Sequence, residues 1–217
     1  MELTASRKQC LPGSFAVFKT KEFTGACQGM SWLTIEASFP AAPGDYKVEV
    51  DFCVPLTVRA SGRKNDPPWH VQQTGSAKSL LEILVDPRSR AIVGITLVLA
   101  ETWRKTPQAR ELPREHGMPI VRIPDDAVYH EPQLEGRWFA NVIKINAPFT
   151  ASIGPGFLEI DLGALAEATN IIENEQVEFY LNGEELVGLR IVRLNAEQIV
   201  TLTEVRDSIG SAQENDH

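Results

Sequence analysis

Long apolar runs, cysteine, histidine and clustered basic residues are all scarce in this 217-residue chain, and each shortage removes a class of protein. The most apolar stretch, Ala91 to Ala100, is broken by Gly94 and Thr96 and is half of the roughly 20 residues a bilayer-spanning helix needs, so no membrane contact is expected. Cys10, Cys27 and Cys53 are odd in number, show no CxxC spacing and sit in the first quarter of the chain, which points away from a disulfide scaffold and toward reduced structural thiols. The first eight residues carry an early acid and no apolar stretch follows before Pro12 and Gly13, so a cytoplasmic protein is expected. The 21 Lys and Arg are outnumbered by 29 Asp and Glu, for a formal charge of −8, and the densest basic group is only Arg59, Arg63 and Lys64. Nucleic acid, whose binding depends on neutralising phosphates, is therefore not an expected partner.

What remains is a 43% hydrophobic, 23% charged chain, long enough for one large domain or two small ones. Its clearest feature is an internal echo. Pro43-Gly44 leads into Tyr46 to Asp51, and Pro155-Gly156 leads into Phe157 to Asp161. Leu81 to Asp86 turns and returns as Ile92 to Val98, and Val177 to Asn182 returns as Leu186 to Val192, with Gly94 and Gly188 at matching places. Trp32 and Trp138 precede the two units. The pattern predicts a mostly β protein of two related antiparallel β modules, packed as a sandwich or as half-barrels, with one or two short helices. The first module spans 1–105, a linker 106–119, and the second module 120–217; one compact domain is the alternative packing.

Local chemistry places the elements. Asn182-Gly183 between alternating apolar runs predicts a two-residue type I′ hairpin turn. Ile92 to Leu99 is apolar on both faces, which suits a central strand. Further strands are expected at Ser14–Phe18, Ser31–Ser38, Val54–Ala60, Ile120–Ile123 and Ala140–Ile145. Asn195 is placed to cap a helix whose Ile199, Leu202, Val205 and Ile209 recur at helical spacing, and a second short helix is expected over Leu162–Thr169. Residues 61–78 and 106–119 read as loops.

Catalytic motifs are missing: there is no G-x-S-x-G elbow, P-loop, dinucleotide fingerprint, H-E-x-x-H or EF-hand loop. Asp126, His130 and Glu131 form a carboxylate and histidine cluster of the kind that binds divalent ions, but nothing in their spacing fixes a geometry, so solvated loop residues are the better reading. Cys53 lacks an adjacent histidine or helix start to activate it and reads as a small buried hydrophobe. Glu49, Asp51, Glu159 and Asp161 alternate with apolar residues and read as a solvated strand face. No catalytic residue, metal ligand or cofactor site is therefore expected.

The two hairpins, Leu81 to Ile95 and Val177 to Val192, resemble hairpins of small bacterial immunity proteins, the neutralising partners of secreted or contact-delivered toxins. The resemblance covers about a sixth of the chain. It implies a non-catalytic protein that binds a cognate toxin domain and blocks it, and it carries no catalytic residues over. The acidic surplus suits a basic partner. Trp69, Trp103 and Tyr129 fall in loop-like segments and are the expected partner-binding aromatics, while Trp32 and Trp138 are expected in the core. The alternative is a β-barrel enzyme or small-ligand protein with a pocket near Trp69, His70 and His130.

Overall fold

In a computed structural model the described residues are 33–40, 46–61, 67–75, 79–105, 111–123, 129–130 and 141–214. They form a mostly β protein with two sheets and one α-helix. The first sheet contains β2 (Tyr46–Glu49), β3 (Leu56–Ala60), β4 (Trp69–Gln73), β5 (Leu80–Val85), β6 (Ile92–Leu99), β10 (Tyr129–His130) and β11 (Asn141–Ile145), in the order β10-β11-β4-β5-β6-β3-β2. The second contains β7 (Trp103–Arg104), β8 (Arg114–His116), β12 (Thr150–Gly154), β13 (Phe157–Asp161), β14 (Asn170–Glu173), β15 (Val177–Asn182) and β16 (Glu185–Ile191), in the order β7-β12-β13-β16-β15-β14-β8. β1 (Thr34–Phe39) and β9 (Met118–Arg122) pair with each other and join the second sheet through Thr34 and Glu185.

The two sheets share one plan. Five consecutive strands, β2 to β6 in one and β12 to β16 in the other, have the same order: first, second, fifth, fourth, third. A parallel strand flanks the third in each case, β11 beside β4 and β8 beside β14. The hairpins match as the sequence suggests, with Gly94 and Gly188 each one step past a bulge. The leading strands do not match as the sequence suggests: the counterpart of Phe157–Asp161 is Leu56–Ala60, and Tyr46–Glu49 corresponds instead to Thr150–Gly154. Both Pro-Gly pairs precede an alternating strand, and that shared signal conceals a shift of one strand.

The halves interlock. β1, from the first half, reaches β16 of the second, and β9 bridges through Ile120 to Ala91 at the start of β6. β11 pairs with β4, and β7 pairs with β12. The stretch read as a linker thus contributes β8 and the start of β9 to the sheet. The inner faces meet in one buried cluster that includes Val58, Leu81, Ile95 and Leu97 from one sheet and Leu158, Ile160, Phe179 and Leu189 from the other.

Turn chemistry explains the hairpin tips. Pro155-Gly156 connects paired Gly154 and Phe157 with Gly156 at φ +77°, the type II arrangement of proline followed by a left-handed glycine. At the other tip, Asn182 pairs with Glu185, so the central residues are Gly183 and Glu184; only Gly183 has positive φ. This is the type II′ pattern, and it replaces the expected type I′ turn centred on Asn182-Gly183. Asp86 organises the longer first-module tip by accepting from the amides of Arg88 and Ser89 at 2.9 and 2.7 Å.

The helix α1 (Ala196–Glu214) starts at a reciprocal capping box: Gln198 N–H donates to Asn195 Oδ1, and Asn195 N–H donates to Gln198 Oε1, both at 2.9 Å. Leu202 and Val205 are buried, and Leu202 joins the shared core. We expect Asn195→Ala to cost about 1 kcal/mol, seen as a lower midpoint in chemical denaturation with unchanged slope. The second expected helix is only a 3-10 turn, Leu165–Glu167, because Asp161 draws the amides of Gly163 and Leu165 onto its carboxylate.

Candidate binding surface

Each module turns its second face away from the shared core, and pairing registers show which side chains lie there. Across the second sheet one row reads Arg104, Ser152, Glu159, Arg190, Glu178, Glu173, His116. The matching row of the first sheet reads Glu49, Thr57, Thr96, Glu82, Gln72, Lys144.

The middle of the second-sheet row, Ser152, Glu159, Arg190 and Glu178, is a buried ionic lattice. Arg190 donates through Nη2 to Glu159 Oε2 at 2.5 Å and lies 3.5 Å from Glu178 Oε2. Glu178 also accepts from Arg114 at 2.7 Å and from the Tyr180 hydroxyl at 2.7 Å, while Arg114 binds Glu173 as well. The Arg190 guanidinium stands over the Phe157 ring at 4.6 Å and the Tyr180 ring at 5.2 Å. Burial, followed by the hydrogen bond to Glu178, pushes the Tyr180 phenol well above its ordinary range. Glu159 and Asp161 are only 3% and 5% exposed, so the expected solvated face is corrected: Arg190 neutralises the first, and Arg104 at 2.6 Å neutralises the second. Their half-1 comparators do face water. Glu49 pairs with Lys47 at 2.6 Å, and Asp51 lies outside the strand, accepting from the Cys53 amide. The alternating sequence pattern is the same in both places; only the arginine partners, distant in sequence, separate them.

Beside the lattice, the other face of the second sheet carries a small apolar cluster of Leu165, Ala168, Ile171, Tyr180 and Val187. The first-sheet counterpart is more exposed, although Val142 and Gly94 on it are buried. Thr57, Thr96, Glu82, Gln72, His70, Leu84 and Val93 are partly exposed, and Arg59, Lys47, Glu49 and Lys144 are exposed. His70 Nδ1 lies 3.0 Å from Glu82 Oε1, which also accepts from Gln72 at 3.2 Å. These contacts, the one from His70 foremost, hold the Glu82 carboxyl below its ordinary value of 4.5. A depressed folded-state value stabilises the fold above the unfolded value and loses that contribution as pH falls through the folded one. We expect His70→Ala to raise the Glu82 titration toward 4.5 and to move acid unfolding to higher pH; an unmoved carboxyl resonance in an NMR titration would contradict this.

The sequence-predicted aromatics separate on this frame. Trp69 and Trp103 are in strands rather than loops, partly buried against the shared core, with Arg90 4.3 Å over the Trp69 ring. Tyr129 is in the edge strand of the first sheet, where it pairs in register with Val142. His130, in the same strand, pairs in register with Asn141, which pairs with Trp69, so it is not in register with His70. Asp126 and Glu131, of the considered metal cluster, and Trp32 and Trp138, of the expected core, lie outside the described residues, as does the strand expected at Ser14–Phe18. Among the described residues no group of three His, Cys, Asp or Glu side chains is placed to hold a metal ion. Cys53 is corrected on both counts: it is exposed in the 51–55 turn between Phe52 and Val54, and it is disulfide-bonded.

No protein-family model matches the chain, and no curated protein matches it. Among the described residues no helix is long and apolar enough to cross a membrane.

Proposed function

We propose that the chain is a non-catalytic protein-binding protein that works through the outer face of its first sheet. The observation that carries this reading is the contrast between matched faces. In the second module the middle of the outer face is closed by Leu165 and by ions paired with one another, whereas Thr57, Thr96, Glu82 and Gln72 at the matched positions of the first module are partly exposed and rich in hydrogen-bonding groups. A face of this kind gives a partner many polar contacts with little reorganisation. The hairpin resemblance and the charge of −8 favour one class of partner, a basic bacterial toxin domain that the chain neutralises as an immunity protein. Of the expected partner-binding aromatics, Trp69 and Trp103 pack against the shared core, Trp103 in the second sheet, and Tyr129 is in the edge strand of the first sheet, paired with Val142.

The test is capture from the native host at low salt with the tagged chain, followed by expression of any retained protein alone. One stoichiometric basic protein that is toxic alone and harmless with this chain supports the reading; capture of no protein sinks it. Cytoplasmic residence belongs to the same proposal and conflicts with the Cys53 disulfide, since such bonds persist where the surroundings oxidise. Thiol trapping at lysis decides the point: three free thiols fit the cytoplasm, and one fits an oxidising compartment.

A further inference from the structure

The two modules join their second and third strands through connections of equal length, residues 61–68 and 162–169. In the second module this connection carries Leu162, Ala164, Leu165 and Ala168, and it folds back so that Leu165 lies on Gly188. A Cβ built at Gly188 would stand 2.5 Å from Leu165 Cδ1. Asp161 anchors the plug, accepting from the Gly163 amide at 2.7 Å and the Leu165 amide at 3.1 Å.

In the first module the connection reads Ser-Gly-Arg-Lys-Asn-Asp-Pro-Pro, without one aliphatic side chain. The glycine beneath the plug nevertheless has a counterpart, buried and covered by Leu84 of its own sheet. Gly94 stands where Gly188 does: a Cβ there would lie 3.1 Å from the Val58 carbonyl, as one at Gly188 lies 3.2 Å from the Ile160 carbonyl. Leu84 leans across Gly94, and both Leu84 and the bulged Val93 are partly exposed. The place of Asp161 is taken by Arg59, exposed and paired in register with Gly94. Among the described residues no carboxylate is within ion-pair distance of Arg59; its charge acts on Glu49 and Glu82 only at longer range, helping to lower both carboxyls, while their close contacts are with Lys47 and with His70 and Gln72.

We propose that Leu84, Val93, Gly94 and Arg59 form a docking site for a segment of another protein that presents a branched aliphatic side chain two or three residues from a carboxylate. The site rests on the protein-binding reading and names the chemistry of the contact. The aliphatic requirement follows from the apolar patch and from what fills its twin. The carboxylate follows from charge complementarity: Asp161 accepts from backbone amides, while Arg59 can only donate, so the exchange reverses what the occupant must bring. An acidic chain overall can bind a basic domain and still take one carboxylate at this cation.

The probe is a synthetic nonapeptide with the sequence of residues 161–169, in which leucine precedes glutamate by two residues, titrated into the isotope-labelled full chain. Saturable amide shifts at Arg59, Leu84, Val93 and Gly94 are expected. Arg59→Glu is expected to weaken them by about fivefold or more, and the exposed-site substitution Arg59→Gln by less. A peptide with aspartate in place of the Leu165 equivalent is expected not to bind. Absence of saturable shifts, shifts confined to Gly188 and Ile171, or an affinity indifferent to Arg59→Glu would overturn the proposal. A captured partner that binds Arg59→Glu and Leu84→Asp variants as well as the native chain would overturn the docking site while leaving protein binding intact. Peptide binding at Gly94 without any captured partner would do the reverse.

Discussion

Arg190→Met is expected to destabilise the protein by about 3–5 kcal/mol, the range for removing one partner of a buried ion pair. The side chain it removes lies between two carboxylates, Glu159 at 3% exposure and Glu178 at 8%. Glu178 retains Arg114 and the Tyr180 hydroxyl, whereas Glu159 loses the 2.5 Å hydrogen bond from Arg190. The penalty is that of a buried carboxylate losing a hydrogen-bonded counter-charge, more than the value of the pair itself. The double variant Arg190→Met with Glu159→Leu removes that charge and is therefore expected to be more stable than the single variant. Denaturant midpoints of the three proteins check this. Equal losses in the single and double variants would mean that packing against Phe157 and Tyr180, rather than charge, is what Arg190 supplies.

Leu165→Ala is the second large effect, at about 2–5 kcal/mol for emptying a fully buried leucine site. Its neighbours Ile171, Tyr180 and Val187 are fixed in paired strands and cannot collapse into the space, which favours the upper part of that range. Gly188→Ala on its own brings a methyl to 2.5 Å from Leu165 Cδ1 and should also destabilise. The two changes are complementary, so the double variant is expected to cost less than the sum of its parts. Additive losses would show that Leu165 and Gly188 do not compete for the same space. Leu84→Ala, beside Gly94 in the first module, is expected to cost less, because Leu84 is already partly exposed.

The hairpins, the central place of Ile92–Leu99 and the Asn195-capped helix were legible because each depends on residues near one another in the chain. The pairing of halves was legible only in part. Repetition of Pro-Gly before an alternating strand made Tyr46–Asp51 resemble Phe157–Asp161, although strand order equates the latter with Leu56–Ala60. Strand alternation also could not distinguish a solvated acid from a buried one. Glu49 and Glu159 have similar local sequence, and the difference lies in Arg190, 31 residues beyond Glu159 in the chain. The open face was missed for the same reason. Gln72, Glu82, Thr96 and Thr57 come together only when four strands pair in a particular register. A comparison of the equal-length connections 61–68 and 162–169 was the available signal, since one is apolar and the other has no aliphatic residue.

The most direct test of binding through the first sheet is quantitative capture of the partner by two charged variants of equal size. Thr96→Arg lies mid-row on the open face, and Val200→Arg lies at an exposed position of the helix, 56% accessible in the native chain. With both variants shown to be folded by their thermal transitions, Thr96→Arg is expected to lose the partner and Val200→Arg to retain it. Retention by Thr96→Arg, or loss confined to Val200→Arg, would contradict binding through the first sheet.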